Sequence, residues 1–161
     1  LRIAGDEMDE SITLYIRNKY NLLISDRIAE QVKIKIGSAF PLKEELTMTV
    51  RGRNLVNGLP ETLEISSVEI RNALSDKVDL IVKAAKEAVD TVDPEMIGDL
   101  MDIGICLSGG GSLLRGLDER MSEELKLRCW VADDPMTCVA RGAGMVLENL
   151  AAYEHLLLKL D

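Results

Sequence analysis

The stretch whose residues most strongly suggest a chemical role is a glycine run that follows a short apolar segment. Residues 105–116 read ICLSGGGSLLRG, so an apolar run typical of a buried strand ends in Gly109, Gly110 and Gly111, and a helical pattern follows at once. Because glycine has no Cβ, a ligand can approach the main chain there, and the start of the helix offers unpaired N–H groups. A ligand-binding surface and a plain tight turn between a strand and a helix both explain this run. The spacing matches neither of the common glycine-rich phosphate-binding patterns.

A second group of residues that could bind a ligand lies on a helix predicted to begin after Ser25 and to end at Gly37. Apolar residues recur one turn apart on one face of this helix, whereas Glu30, Lys33 and Ile34 fall on the opposite face. Glu30 and Lys33 form either a surface ion pair worth a few tenths of a kcal/mol or one wall of a slot for a planar ring. The pattern alone leaves both interpretations open.

Acidic residues crowd the start of the first predicted helix. Asp6, Glu7, Asp9 and Glu10 follow Gly5, where the helix dipole favours negative charge. We therefore expect helix electrostatics, not metal binding, to explain this cluster.

Composition excludes several classes of function. The 161 residues are 47% hydrophobic and 29% charged, as in an ordinary globular domain, and the net charge of −9 argues against nucleic acid as a partner. There is no apolar run of the ~18 residues that a membrane span needs, and we expect no signal peptide. Three cysteines without metal-ligand spacing predict reduced core thiols in a cytosolic protein. Because the chain starts at Leu1, we expect it to be part of a longer protein.

The remaining patterns describe the elements that must position these residues. Residues 1–4 are typical of a strand end, and alternation over residues 46–65 predicts a hairpin with one covered face. Ser66 and Glu69 form a capping box that starts a long helix to about Val89. Asp93 and Pro94 then start a short helix to about residue 101.

The second half predicts a strand, a helix and a second strand. The strand at residues 105–107 and the one at residues 127–131 flank the helix that follows the glycine run, which implies a parallel pair with a right-handed crossover. Gly142 and Gly144 fall inside the last predicted helix, where we expect close packing against another backbone. The segment from Ala151 to Asp161 continues as an amphipathic tail.

Several segments together resemble the bacterial actin homologues of the MreB/Mbl family. They are RIAGDEMDE (2–10), YIR (15–17), AEQVKIKIGSA (29–39), VRGRNL (50–55), LSGGG (107–111) and DPMTCVARG (134–142). The resemblance covers essentially the whole chain in one register. It implies an α/β fold, the second half of an actin/Hsp70-like (ribonuclease H-like) nucleotide-binding fold. Residues 1–23 and 75–161 would form the large subdomain, and residues 24–74 a small helix–hairpin insert.

The resemblance also implies a nucleotide site for ATP or ADP. By position, the adenosine would lie between a glycine ledge and a helical wall, made of Gly109, Gly110, Gly111, Ser112 and Leu113 on one side and of Glu30, Gln31, Val32 and Lys33 on the other. Family members carry the phosphate loops and the Mg²⁺-organising acids upstream of the position of Leu1. No catalytic residue or metal ligand is therefore expected here, and ATPase activity is expected only of the full-length protein.

At the level of the cell, the resemblance implies a cytoskeletal filament that maintains rod shape. Such a protein would self-associate, work in the cytoplasm at the inner face of the bacterial membrane, and organise the membrane-associated machinery of cell-wall synthesis. An Hsp70-like or sugar-kinase-like ATPase of the same superfold is the alternative, because a shared fold does not separate these functions. The insert separates them, since Arg51, Gly52, Arg53 and Asn54 match the filament family.

Overall fold

The computed structural model describes residues 4–153, which form seven helices and five strands. The helices are α1 (Gly5–Tyr20), α2 (Asp26–Ile36), α3 (Ser67–Asp90), α4 (Pro94–Ile103), α5 (Leu117–Leu125), α6 (Cys138–Glu148) and α7 (Leu150–Tyr153), and the strands are β1 (Leu22–Leu23), β2 (Thr47–Asn54), β3 (Pro60–Ser66), β4 (Ile105–Leu107) and β5 (Cys129–Val131). Most of the strand end predicted at residues 1–4 and most of the tail predicted after Ala151 lie outside this range.

The core lies where α1, α2 and α3 meet. One apolar stripe from each helix is buried there, as the fourfold spacing of the sequence predicts. Its fully buried members are Ile12 and Ile16 from α1, Ala29 and Val32 from α2, and Ile70 and Leu74 from α3. The predicted capping box at the start of α3 is confirmed, because Ser66 and Glu69 bond each other reciprocally.

The predicted hairpin is confirmed, and β1 extends it. β1, β2 and β3 form one antiparallel sheet, in which Val50 lies opposite Leu63 and Met48 opposite Ile65. Val50 and Ile65 are buried, so one face of the sheet is covered. β1 belongs to residues 1–23, whereas its partner strand belongs to residues 24–74, and the subdomain boundary after residue 23 stays a prediction.

The parallel pair predicted in the second half is also confirmed. β4 and β5 pair in parallel with Ile105 opposite Cys129, and α5 makes the crossover between them. Cys129 is buried, but Cys106 is exposed and Cys138 is half-buried. The prediction of three core thiols is therefore wrong for two of them. In the described part of the chain, Cys106 lies on an uncovered face of the two-stranded sheet, and Cys138 begins α6, which has no buried residue.

The packing predicted for the glycines of the last helix is wrong for residues 4–153. A Cβ atom added to Gly142 or Gly144 would meet nothing within 4 Å, and α6 contains no buried residue. The glycines therefore do not mark a close approach between backbones in this range. None of the helices in the described range is long and apolar enough to cross a membrane.

Candidate functional site

The glycine run forms an exposed main-chain ledge at the carboxyl end of β4. Gly110–Leu113 is a single 3-10 turn, and the helix predicted after the glycine run is α5, which begins at Leu117. A Cβ atom built on Gly109, Gly110 or Gly111 would meet nothing within 4 Å. The space beside the three glycines is therefore open, and a flat or charged group of a ligand can contact the backbone there.

Two hydrogen bonds fix the shape of this ledge from its inner side. The N–H of Gly109 donates to the carbonyl of Pro135 over 2.7 Å, and Ser112 Oγ donates to the carbonyl of Gly109 over 2.7 Å. Gly109 has a φ of 83°, in the region that favours glycine. Ser112 is buried and shapes the turn, whereas Leu113 is more than half exposed. The ledge is therefore preformed and not a loose loop.

The helical wall predicted on α2 presents two kinds of residue. Glu30 is exposed and Gln31 is half-buried, so both side chains can reach a ligand. Val32 is fully buried in the core between the helices, so it holds α2 in place and presents no exposed surface to a ligand. Helical spacing predicts Val32 on the apolar face of α2 and Glu30 on the opposite face, and the structure confirms both positions.

Lys33 is held by the start of α1. Its ammonium lies 2.8 Å from Asp9 Oδ2 and donates to the carbonyl of Gly5 over 3.0 Å, and both charged side chains are mostly buried, 16% exposed for Lys33 and 15% for Asp9. An ammonium carries three N–H donors, so two are used and one remains for a ligand. The sequence left open a surface ion pair with Glu30 or one wall of a slot, whereas packing of α2 on α1 pairs Lys33 with Asp9.

The environment of Asp9 differs from that of its acidic neighbours. Partial burial raises the pKa of Asp9, while the hydrogen bond and the charge of Lys33 act against this rise. Asp9 Oδ1 is buried and has no hydrogen-bond partner in the described part of the chain. Helix electrostatics alone therefore does not explain the whole acidic cluster, because this member anchors the lysine of the predicted wall.

Arg115 joins the ledge to the end of α2. Its guanidinium donates to the carbonyl of Ile34 over 2.7 Å and to that of Gly37 over 3.5 Å. Its own carbonyl accepts the N–H of Ala39 over 2.8 Å, and Ser38 pairs with it as an isolated parallel bridge. These contacts join the segment that follows the ledge to the carboxyl end of α2, the helix of the predicted wall. Sequence reasoning assigned no role to Arg115, and no spacing rule links it to residues 34–39.

A cavity of about 400 Å³ lies beside the first half of α1. Asp6, Asp9, Glu10, Thr13 and Asp26 line it, and none of the ledge residues does. Carboxylates repel an anion, so the ledge with its backbone N–H groups suits an anionic ligand better than this cavity does. Among residues 4–153, no three His, Cys, Asp or Glu side chains come together as a metal site.

The comparisons with known proteins agree on one family. Residues 1–155 match the family model described as MreB/Mbl protein. This chain belongs to the MreB/Mbl family. It is 43% identical over 150 residues to the cell shape-determining protein Mbl of Bacillus subtilis. That alignment covers 93% of this chain and 45% of Mbl. It is 45% identical over 150 residues to the cell shape-determining protein MreB of Escherichia coli, covering 93% of this chain and 43% of MreB. The chain thus spans less than half the length of these relatives.

Solved structures of other proteins share the fold of this chain. MreB5 of Spiroplasma citri, crystallised with ADP, is 36% identical with a TM-score of 0.89, over 93% of this chain and 46% of MreB5. The same protein bound to AMPPNP aligns with a TM-score of 0.89 over 98% of this chain and 47% of MreB5. A double helical filament of MamK, 22% identical with a TM-score of 0.78 over 92% of this chain and 45% of MamK, shows the same fold. The described elements are therefore part of an actin-like α/β fold, as the sequence predicted.

Proposed function

We propose that this member of the family of cell shape-determining proteins binds ATP or ADP and forms filaments, and that this chain supplies the adenosine-binding half of the cleft. The observation that carries the proposal is the open glycine ledge, which Arg115 ties to the carboxyl end of α2. The family member MreB5 was crystallised with ADP and with AMPPNP, which supports a nucleotide as the ligand.

The residues of the site fit a nucleoside. A purine ring can lie flat against the backbone of residues 109–111, because no atom lies within 4 Å of a Cβ built on any of these three glycines. Glu30 and the remaining donor of Lys33 suit the hydroxyls and edges of a nucleoside, since a carboxylate accepts and an ammonium donates. These groups hold and orient the ligand but activate no water, so we expect the phosphate chemistry and Mg²⁺ to depend on residues upstream of Leu1 in the full-length protein. ATP hydrolysis is accordingly proposed for that protein and not for this chain.

We further infer a cytoplasmic filament at the inner face of the bacterial membrane, where it would organise the machinery of cell-wall synthesis and so maintain rod shape. The membership of this chain in a family of cell shape-determining proteins supports this inference. A filament requires a head-to-tail contact between copies that never closes into a ring. Light scattering and electron microscopy of the full-length protein with and without ATP test this part of the proposal, and the absence of filaments under all nucleotide conditions would refute it.

The nucleotide site is tested by the variant Gly110→Val in the full-length protein. The branched side chain would occupy the open space above the ledge, and we expect ADP affinity to fall about tenfold or more. Gly98→Val is the matched control, because Gly98 also has nothing within 4 Å of an added Cβ and lies on α4, away from the ledge. Isothermal titration with ADP measures both. Unchanged affinity in Gly110→Val would remove the ledge from the site.

A further inference from the structure

A mostly buried polar cluster lies between the carboxyl end of α2 and the start of α3. We call it the Arg71 cluster, and its members are Ser38, Glu45, Ser67 and Arg71. Ser38 and Ser67 are fully buried, and only 17% of the Arg71 side chain is exposed. Burial of such polar groups is costly unless each one has a hydrogen-bond partner. The partners that these residues choose therefore fix the positions of the segments that carry them.

Glu45 holds one end of the Arg71 guanidinium. A terminal nitrogen of the guanidinium donates to Glu45 Oε1 over 2.7 Å and to Glu45 Oε2 over 2.8 Å. The hydroxyl of Ser67 also donates to Glu45 Oε2. The hydrogen bonds from Ser67 and Arg71 lower the pKa of Glu45, so its carboxylate is charged at neutral pH. A charge-assisted contact thus fixes the guanidinium beside the start of α3.

The other side of the same guanidinium holds Ser38. Arg71 Nε donates to Ser38 Oγ over 3.1 Å. Ser38 pairs with Arg115 as the isolated parallel bridge described above, and the N–H of Ala39 donates to the carbonyl of Arg115 over 2.8 Å. Residues 38 and 39 are therefore held by α3 on one side and by the segment that follows the ledge on the other.

Close packing passes a shift of residues 38–40 on to the ledge. A Cβ atom added to Gly116 would lie 2.7 Å from Phe40 Cβ, so these two residues are already in tight contact. Protein interiors packed in this way transmit a displacement and do not absorb it. The N–H of Leu114 in turn donates to the carbonyl of Gly111 over 3.2 Å, which ties the segment after the ledge to the ledge itself. A binding site needs its groups held to within about 0.5 Å, so a small shift is enough to weaken it.

We propose that Arg71 is a positioning residue of the nucleotide site, which acts through Ser38 and the segment after the ledge. The inference rests on the proposed function, because that function makes the ledge the adenosine-binding surface. Arg71 itself lines a separate cavity of about 370 Å³, and no ledge residue borders this cavity. The effect of Arg71 on a bound nucleotide is therefore indirect.

Arg71→Met in the full-length protein tests this role, because methionine is also long and unbranched but has no hydrogen-bond donor. We expect the ADP affinity to fall about threefold to tenfold in isothermal titration. Arg71→Lys should bind ADP within about twofold of the unmodified protein, because an ammonium has donors for both Glu45 and Ser38. Lys19→Met is the matched control, since Lys19 forms an ion pair over 2.7 Å with Glu69 in the first turn of the same helix. We expect Lys19→Met to lower the free energy of unfolding and to leave the ADP affinity unchanged.

Ser38→Ala removes the acceptor of the same hydrogen bond with a minimal change of volume, so it tests the proposal even if Arg71→Met does not fold. Ser38→Ala should lower the ADP affinity about threefold to tenfold as well. The double variant Arg71→Met with Ser38→Ala should bind ADP as tightly as the weaker single variant, because both changes remove one contact.

An unchanged ADP affinity in Arg71→Met and in Ser38→Ala would overturn the inference. Additive losses in the double variant, an equal loss in Lys19→Met, or an Arg71→Lys variant no better than Arg71→Met would overturn it too, since the hydrogen bond to Ser38 would then not be the cause. Each of these results leaves the proposed nucleotide site intact where Gly110→Val still weakens binding. An unmodified protein that binds no ADP would overturn both.

Discussion

Removal of the charge on Glu69 should destabilise the contact between α1 and the start of α3. Its carboxylate accepts hydrogen bonds from Lys19 Nζ over 2.7 Å, from the hydroxyl of Tyr20, and from the N–H and the hydroxyl of Ser66 over 2.9 Å each. Partial burial acts to raise the pKa of Glu69, but the bonds from Lys19, Tyr20 and Ser66 outweigh burial and lower that pKa from 4.5 to about 2. The lowered pKa of Glu69 therefore measures how strongly its carboxylate holds α1 to the start of α3.

The magnitude follows from linkage between protonation and folding. A tenfold difference in acid dissociation constant between the folded and unfolded states corresponds to about 1.4 kcal/mol, so the ionised carboxylate stabilises the fold by about 3 kcal/mol at pH 7. Because the pKa is lower in the folded state, this stabilisation is complete above the unfolded pKa of 4.5 and is lost as the pH falls towards 2. About half of it should remain near pH 3.

Urea unfolding of Glu69→Gln measures this effect. The variant should lose about 2–3 kcal/mol of unfolding free energy at pH 7, and its difference from the unmodified protein should shrink to roughly half by pH 3. Glu64→Gln is the matched control, because Glu64 is an exposed glutamate on β3 that makes no hydrogen bond or ion pair within the described residues. A Glu69→Gln variant as stable as Glu64→Gln at pH 7, or a difference that does not depend on pH, would refute the assignment of the junction to this charge.

Two further predictions concern the corner of the site. Arg115→Ala removes the side-chain hydrogen bonds that join the ledge to the end of α2 and should weaken ADP binding about threefold to tenfold. Arg17→Ala is the control, because Arg17 is exposed on α1 and its side chain makes no hydrogen bond in the described residues. We expect isothermal titration to find the ADP affinity of Arg17→Ala unchanged. Gly116→Ala should cost about 2–3 kcal/mol in urea unfolding, because Gly116 has a φ of 71° and an added Cβ would lie 2.7 Å from Phe40 Cβ. Equal stability of Gly116→Ala and Gly110→Ala, where the added atom meets open space, would contradict that reasoning.

The elements themselves could be predicted because their signals are local. Ser25 and Gly37 bracket α2, the reciprocal bonds of Ser66 and Glu69 start α3, and alternation gives the hairpin, each as the sequence indicated. Such signals depend on residues within a turn or two of each other, so no knowledge of distant packing is needed. The helix predicted after the glycine run is confirmed as α5, and the 3-10 turn of Gly110–Leu113 precedes it.

Residue types and spacing along the chain led to the family, the α/β class and the two stretches expected to face a nucleoside. Helix packing fixes how these stretches are held, with Lys33 against Asp9 and Arg115 on the carbonyls at the end of α2. The cause is distance along the chain. Caps and periodicity act between neighbours in sequence, whereas the partners of Lys33 and Arg115 lie 24 and 81 residues away and are chosen only when the helices pack.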